Sequence, residues 1–239
     1  MPKNDKPKIS RILYDLQRDE TLKRQAAPEG ELDPQLALLR QWQAARLRRT
    51  YADLLEDERY APACRFFLSD IYAAKDFSQR DHDLERVYHL MQRFVPQHML
   101  QLLADSIELN RLSNQLDQDL LQVLIEDLGL ADTLTPELYA EGYRKCDNYA
   151  DRERQIELIE EVVHKVGEGS KNPLVGATLR LARKPAEKAG WFELYDFLNR
   201  GYAAFKQIRS GATFAETIGQ RERLILEQIY AGAAEPFEV

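Results

Sequence analysis

The sequence WFELYDFLNRGYAAF, residues 191–205, decides the fold class. Its apolar side chains recur at every third or fourth position: Trp191, Leu194, Tyr195, Leu198, Tyr202 and Phe205. An α-helix has 3.6 residues per turn, so this spacing gathers them on one face, which is stable only when it is buried against other elements. Gly201 lies on the same side, where a neighbouring helix can approach closely. The stretch therefore predicts an amphipathic helix in a packed helical core.

The rest of the chain repeats this periodicity, and two helix starts carry a capping residue followed by proline. Asp33-Pro34 and Thr135-Pro136 each place a side-chain oxygen immediately before a proline at the first helical position. No run of four to eight residues alternates apolar and polar side chains in the way that a strand does. We therefore predict an all-α fold, a multi-helix bundle of about seven to nine helices.

The domain boundaries follow from where the helical periodicity begins and ends. Residues 1–30 combine Lys, Arg, Gln, Pro and Gly with one short apolar cluster, which predicts a weakly ordered N-terminal arm. The periodic segments occupy residues 31–232, which we take as a single domain, and residues 233–239 form a short tail. Within the domain, Thr213 is predicted to cap the last helix, and the Gly-x-Gly at 167–169 is predicted to end the charged helix that begins at about Asp151.

Composition excludes several classes of function. The chain has 239 residues and a net charge of -7, and this acidic balance argues against nucleic acid as a partner. Two cysteines, Cys64 and Cys146, cannot form a disulfide framework, and no stretch reaches the ~20 apolar residues of a membrane span. The N-terminus shows no apolar signal region, so a cytoplasmic location is expected. Because no phosphate-binding glycine loop and no Gly-x-Ser-x-Gly motif is present, we predict no catalytic residue and no cofactor.

A resemblance to a known family rests on a short aromatic motif. The sequence FFLSDIY at residues 66–72 is followed by DF at 76–77 and RD at 80–81, and with the stretch 191–205 it resembles the bacterial FFLEELY motif proteins. The letters SDI at 69–71 stand where the family name has EEL. The resemblance implies a shared helical fold over most of the chain, and it transfers no catalytic residue.

Polar residues close to this motif form the first candidate site. They are Asp70, Tyr72, Asp76, Arg80 and Asp81. Carboxylates and an arginine in a loop between packed helices can satisfy unpaired backbone groups, so one interpretation is a structural clamp. The other interpretation is a binding site for a small polar ligand at the same residues.

The second candidate is a metal site. Glu161 and His164 have the Glu-x-x-His spacing that places both side chains on one helical face, as in di-iron carboxylate bundles, and Glu160 precedes them. Such bundles need this spacing on two helices, and the sequence has no second copy. Glu161 also lies four residues before Lys165, which favours a surface ion pair. The Glu-x-x-His spacing keeps a metal-dependent helical oxidoreductase as an alternative function, and the missing second copy makes it secondary to the main prediction.

Two groups of basic residues are candidates for contact with anions. The first helix carries a basic strip, which we predict to face solvent or to pair with nearby acidic residues: Arg40, Arg46, Arg48 and Arg49. The second group lies in residues 171–188, from Lys171 to Lys188, where leucines alternate with basic side chains. A basic amphipathic segment can lie on an anionic membrane, although Pro173, Gly176 and Pro185 are predicted to interrupt it.

These observations favour a protein whose helical core is complete and whose active site is missing. We predict a bacterial, cytoplasmic interaction or regulatory module that binds a protein partner or a second copy of itself. The alternatives are the metal-dependent enzyme and a peripheral membrane or anion-binding protein that uses residues 171–188.

Overall fold

A computed structural model describes residues 33–71, 97–208 and 210–239 of the chain. Within those ranges it contains nine α-helices and no strand, which confirms the predicted all-α bundle. A π-helical turn, Phe67–Ile71, directly continues the third helix. The predicted arm at 1–30 lies outside the described residues. The helices are α1 Pro34–Thr50, α2 Ala52–Glu56, α3 Ala61–Phe66, α4 Gln97–Glu126, α5 Pro136–Cys146, α6 Tyr149–Ser170, α7 Pro173–Ala189, α8 Phe192–Phe205 and α9 Gly211–Tyr230.

Both predicted cap-then-proline starts are confirmed. The Asp33 carboxylate accepts hydrogen bonds from the backbone N–H groups of Gln35 and Leu36, at 2.9 and 3.1 Å. The Thr135 hydroxyl accepts one from the N–H of Leu138 at 3.3 Å. These side chains satisfy N–H groups that have no partner inside the first turn of a helix, and each is worth about 1 kcal/mol.

The predicted start of the last helix is wrong by three residues. Ser210 caps α9, and its hydroxyl accepts a hydrogen bond from the N–H of Thr213 at 3.2 Å. The Ser210 hydroxyl satisfies the kind of backbone N–H group that a capping box at Thr213 would satisfy. The helix therefore begins about one turn before the predicted position.

The glycines of α6 do not end that helix, which continues to Ser170. Gly167 instead marks the closest approach of α6 to α9: a Cβ at this position would lie 2.8 Å from the Cα of Gly211. Gly169, by contrast, has nothing within 4 Å of the equivalent position. A glycine inside a helix can therefore serve interhelical packing, and this use outweighs its low helix propensity here.

The segment that was predicted to be interrupted is one continuous helix, α7. Asn172 caps it, Gly190 ends it with a φ of 80°, and Pro185 lies inside it. Pro185 removes one hydrogen bond to the carbonyl of Leu181, a residue on the exposed side, where water can supply the missing partner. Gly176 leaves room for Tyr202 of α8, because a Cβ there would lie 2.4 Å from the tyrosine hydroxyl.

The aromatic motif at 66–67 packs against α8, as the spacing in 191–205 indicates. The ring of Phe66 lies 5.2 Å from that of Phe197 and 6.4 Å from that of Phe205. A Cβ at Gly201 would come within 3.0 Å of the Phe66 ring, which confirms a close approach at this glycine. This cluster extends across the core to Phe214 of α9 and Val163 of α6.

A second apolar cluster joins α1, α4 and α5 around Leu39, Leu120 and Tyr139. Phe237, in the predicted tail at 233–239, packs against it: its ring lies 5.3 Å from the Trp42 ring. Five helices and this tail also surround a polar cavity, which is described below.

Candidate functional site

Asp70 is the one member of the predicted polar cluster within the described residues, and Tyr72, Asp76, Arg80 and Asp81 lie outside them. This residue is 8% exposed, and its carboxylate forms a salt bridge with Arg200 of α8 at 2.5 Å. The Ser69 hydroxyl donates to the same carboxylate at 2.7 Å. Asp70 therefore joins the π-helical turn to α8 through a charged contact. The ligand site at the five residues stays a prediction.

The two glutamates of the predicted metal site form ion pairs with basic side chains. Glu160 accepts from Arg223 of α9, with one nitrogen–oxygen distance of 2.9 Å, and Glu161 lies 3.4 Å from Lys165. His164 is exposed. Within the described ranges no group of three or more His, Cys, Asp or Glu side chains has a geometry that could hold a metal ion. Glu160 therefore forms an ion pair between two helices, and Glu161 forms an ion pair within α6.

Two leucines on α7 face solvent to an unusual degree. Leu174 and Leu181 are each 68% exposed, the highest values among the large apolar side chains of the described residues. They are seven residues apart, which places them on the same side of the helix, two turns from each other. We call these two leucines with Arg180 and Lys184, which are both exposed, the α7 surface.

The inner side of α7 provides the contact with the rest of the protein. Val175, Leu179 and Ala182 are partly buried and Ala186 is buried, at the i, i+4, i+7 and i+11 spacing of one face. The α7 surface is therefore not part of the helical core. None of the helices in the described residues has the length and apolarity that crossing a bilayer requires.

The predicted basic strip is wrong at one residue, because Arg46 points into the protein. Its side chain forms a salt bridge with Glu222 of α9 at 2.5 Å, and the Tyr51 hydroxyl donates to the same carboxylate at 2.7 Å. Burial lowers the pKa of the Arg46 guanidinium, but the charge and hydrogen bond of Glu222 more than offset this, and the pKa is raised. Arg46 stays charged and is neutralised by an ion pair across the bundle.

A second buried arginine, Arg152 of α6, has no such partner. It is 3% exposed, and no carboxylate of the described residues lies within the 4 Å of a salt bridge. Its guanidinium donates to the backbone carbonyl of Leu116 at 3.1 Å and to the Gln155 side chain at 3.4 Å. It also lies 4.1 Å above the ring of Tyr143, a cation–π contact.

Both arginines line one cavity of about 60 Å³. Its polar side chains come from five helices and include Gln43, Ser113, Asp117, Tyr139, Tyr143, Gln155 and Glu222. Isoleucines of α6 and α9 also line it. We call this feature the polar cavity.

The helical spacing of two arginines is the signal in the sequence for the polar cavity. Arg152 is in register with Ile156, Ile159 and Val163, the stripe that faces inward on α6. Arg46 likewise lies seven residues after the fully buried Leu39. Residue type alone predicts that Arg46 faces solvent, whereas its position on the helix places it inside.

Comparison with known proteins gives one match. No curated protein and no solved structure matches the chain. A family model with the description "Domain of unknown function (DUF8198)" matches residues 22–236, nearly the whole chain, and it does not confirm the resemblance to the FFLEELY motif proteins. Since the matched region spans nearly the whole chain and includes the nine helices of the described residues, the chain belongs to this DUF8198 family.

Proposed function

We propose that this protein is a regulatory interaction module of the bacterial cytoplasm that has no catalytic activity and binds an acidic amphipathic helix of a protein partner through the α7 surface. The observation that carries the proposal is the 68% exposure of both Leu174 and Leu181 beside basic residues. Apolar side chains gathered on one exposed face, with polar residues around them, are typical of protein interaction sites.

Charge indicates the chemistry of the partner. The segment from Lys171 to Lys188 contains five basic residues and one acidic residue, whereas the whole chain has a net charge of -7. Arg183 pairs with Glu187 at 3.1 Å, and Arg180 and Lys184 make no ion pair within the described residues. An acidic surface is complementary to this concentration of positive charge, which would steer the partner and fix its orientation.

Spacing indicates the shape of the partner. Two leucines two turns apart form a ridge about 10 Å long, since a helix rises 1.5 Å per residue. A helix that presents its own apolar residues at positions i, i+3 or i+4 and i+7 can pack along such a ridge. Acidic residues on both sides of its apolar stripe would then reach Arg180 and Lys184.

An anionic membrane is the main competing occupant, because it also pairs apolar depth with negative charge. Two exposed leucines bury little area, and weak anchors of this size need a second signal to hold a protein on a bilayer. The α7 surface is therefore better suited to a protein groove, where the surrounding side chains also bury the edges of the leucines.

The test is photo-crosslinking in cells that naturally produce the protein. A photoreactive phenylalanine replaces Leu181, and the control replaces Leu224 of α9, which is also exposed, at 43%. We expect adducts at position 181 that map to an acidic helical segment of one protein, and few at position 224. Charge reversal at Arg180 and Lys184 together should reduce the adducts at 181 by about tenfold or more.

Three results would contradict the proposal. Equal labelling at 181 and 224 would show that the α7 surface has no specific partner. Adducts to a second copy of this chain would replace the acidic partner with self-association. Flotation of the protein with vesicles containing phosphatidylserine, abolished by Leu174→Ser with Leu181→Ser, would indicate a membrane-binding surface instead.

A further inference from the structure

We propose that the polar cavity binds a short organic carboxylate, with Arg152 as the residue that pairs with the carboxylate group. This site is separate from the α7 surface, and it lies between α1, α4, α5, α6 and α9. The ligand class follows from three properties of the cavity: the guanidinium of Arg152 that has no ion pair, the size of the cavity, and a lining that has both polar and apolar side chains.

The charge of Arg152 is the first property. A buried guanidinium without a counterion is costly, because it loses hydration and gains no ion pair in return. Arg46, on the same cavity, has Glu222 as its partner at 2.5 Å, whereas Arg152 has only neutral acceptors. The Nε–H groups of both arginines lack an acceptor within the described residues. An anion in the cavity would satisfy the Arg152 guanidinium.

Asp117, the nearest candidate for an internal counterion, does not fill this role. Its carboxylate accepts from the Gln43 side-chain amide at 2.8 Å and makes no salt bridge with Arg152. Burial raises the pKa of Asp117, opposed in part by the Gln43 hydrogen bond and the charge of Arg152. The Asp117 carboxylate is therefore bound by a neutral amide and leaves the Arg152 guanidinium without a direct ion pair.

Size limits the ligand. The cavity measures about 60 Å³. One water needs about 10–15 Å³ on this scale, so the space holds roughly four to six groups of the size of water. A ligand of about four to six non-hydrogen atoms fits without rearrangement of the helices, which excludes nucleotides and sugars.

The wall selects among small anions. The planar guanidinium of Arg152 matches a carboxylate in a two-point contact. The Tyr139 hydroxyl donates to the Tyr143 hydroxyl at 3.2 Å, so the Tyr143 hydroxyl can donate its own proton to the ligand. Ile156 and Ile225 line the same space, and they favour an alkyl group. Inorganic phosphate, with four oxygens to satisfy, suits this mixed wall less well.

The experiment is a thermal unfolding titration with propionate, and the matched control ligand is propionamide, which has the same shape and no charge. We expect propionate to raise Tm in a saturable manner, by roughly 5–10 °C at a hundredfold excess over Kd, and propionamide to leave it unchanged. Inorganic phosphate at the same ionic strength serves as the third probe.

Variants locate the binding. Arg152→Met should abolish the propionate shift, and it should leave the protein folded because it removes a buried charge that has no counterion. The control Arg154→Met changes a partly exposed arginine on the same helix, which pairs with Glu108 at 3.0 Å, and should bind propionate normally. Tyr143→Phe gives an independent variant of nearly equal volume, and we expect at least about tenfold weaker binding.

Several outcomes would overturn the inference. They are an equal shift with propionamide, no shift with propionate, and a full propionate shift in Arg152→Met. Phosphate that binds as tightly as propionate would replace the organic acid with an inorganic anion. If Arg152→Met does not fold, unchanged propionate affinity in Tyr143→Phe would also contradict the site.

Discussion

The polar cavity and the α7 surface depart from the usual distribution of residues in opposite directions. In the cavity, Arg46 and Arg152 are 8% and 3% exposed, although arginine is almost never fully buried unless it is paired. On α7, Leu174 and Leu181 are each 68% exposed. Each region thus holds side chains that the fold alone does not explain.

The difference between the two regions shows what each one lacks. The cavity has a positive charge without a counterion, which a small anion can supply from inside the bundle. The α7 surface exposes apolar area to solvent, which the proposed protein partner would cover from outside. Elsewhere in the core, apolar side chains are buried as usual: Leu158 of α6 is fully buried. Gly167 lies against Gly211 where α6 and α9 pack closely. Four predictions test this contrast, from the largest expected effect to the smallest.

The Arg46–Glu222 pair should be the most sensitive part of the cavity. Glu222→Gln keeps the shape of the side chain and removes the charge that neutralises Arg46. We expect a loss of about 3–5 kcal/mol in the free energy of unfolding, measured in urea, because a buried charge is left without its partner. The control Glu227→Gln, at an exposed position of α9, should change it by less than about 0.5 kcal/mol. A loss below about 1 kcal/mol would show that Arg46 does not depend on Glu222.

The two glycines of α6 should respond in opposite senses. Gly167→Ala places a methyl group 2.8 Å from the Cα of Gly211, so the helices must separate, and we expect a loss of about 1–3 kcal/mol. Gly169→Ala has open space and should gain about 0.5–1 kcal/mol from helix propensity. Thermal unfolding of both variants measures the difference. If both substitutions stabilised the protein, α6 and α9 would not pack closely at Gly167.

Asp117 should make stability depend on pH. Its pKa is raised by burial in the folded protein, so the folded state binds the proton more tightly than the unfolded state, and stability falls as pH rises through that pKa. Asp117→Asn should therefore be more stable than wild type at pH 7. The difference should shrink as pH falls toward about 3, where the carboxyl is largely protonated in both states of wild type.

Urea unfolding at pH 7, 5 and 3.5 measures this dependence. The control Asp132→Asn, at an exposed position without an ion pair in the described residues, should show no such trend. A difference between Asp117→Asn and wild type that grew toward low pH would reverse the sign and contradict the raised pKa.

Local features of this fold can be predicted from sequence, and features that depend on distant partners cannot. The caps at Asp33 and Thr135 were predicted because the capping oxygen and the N–H groups that it accepts from lie within three residues. The burial of Arg46 was missed because its partner, Glu222, lies 176 residues away in the sequence. Its residue type predicts that Arg46 faces outward, whereas its position on the helix correctly indicates that it faces inward.

The same limit applies to the candidate sites. The segment from Lys171 to Lys188 was recognised as basic and amphipathic, but Pro185 was taken as an interruption of a helix that is continuous. Whether a proline breaks a helix depends on what can replace its lost hydrogen bond, and that depends on exposure. The polar cavity, which joins five helices, has no contiguous motif in the sequence at all.

The smallest expected effect is on the α7 surface. Leu174→Ser with Leu181→Ser removes apolar side chains that are already in solvent, so the free energy of unfolding should stay within about 0.5 kcal/mol of wild type. The same double variant should lose the crosslinking partner, because the apolar ridge that binds it is gone. Stability is measured by urea unfolding, and binding by co-purification of the identified partner.

A loss of about 2 kcal/mol or more would show that these leucines are covered within the protein itself, since burial of a leucine contributes about that much. Unchanged stability together with lost binding would separate the role of α7 in recognition from the role of α6 and α9 in holding the fold.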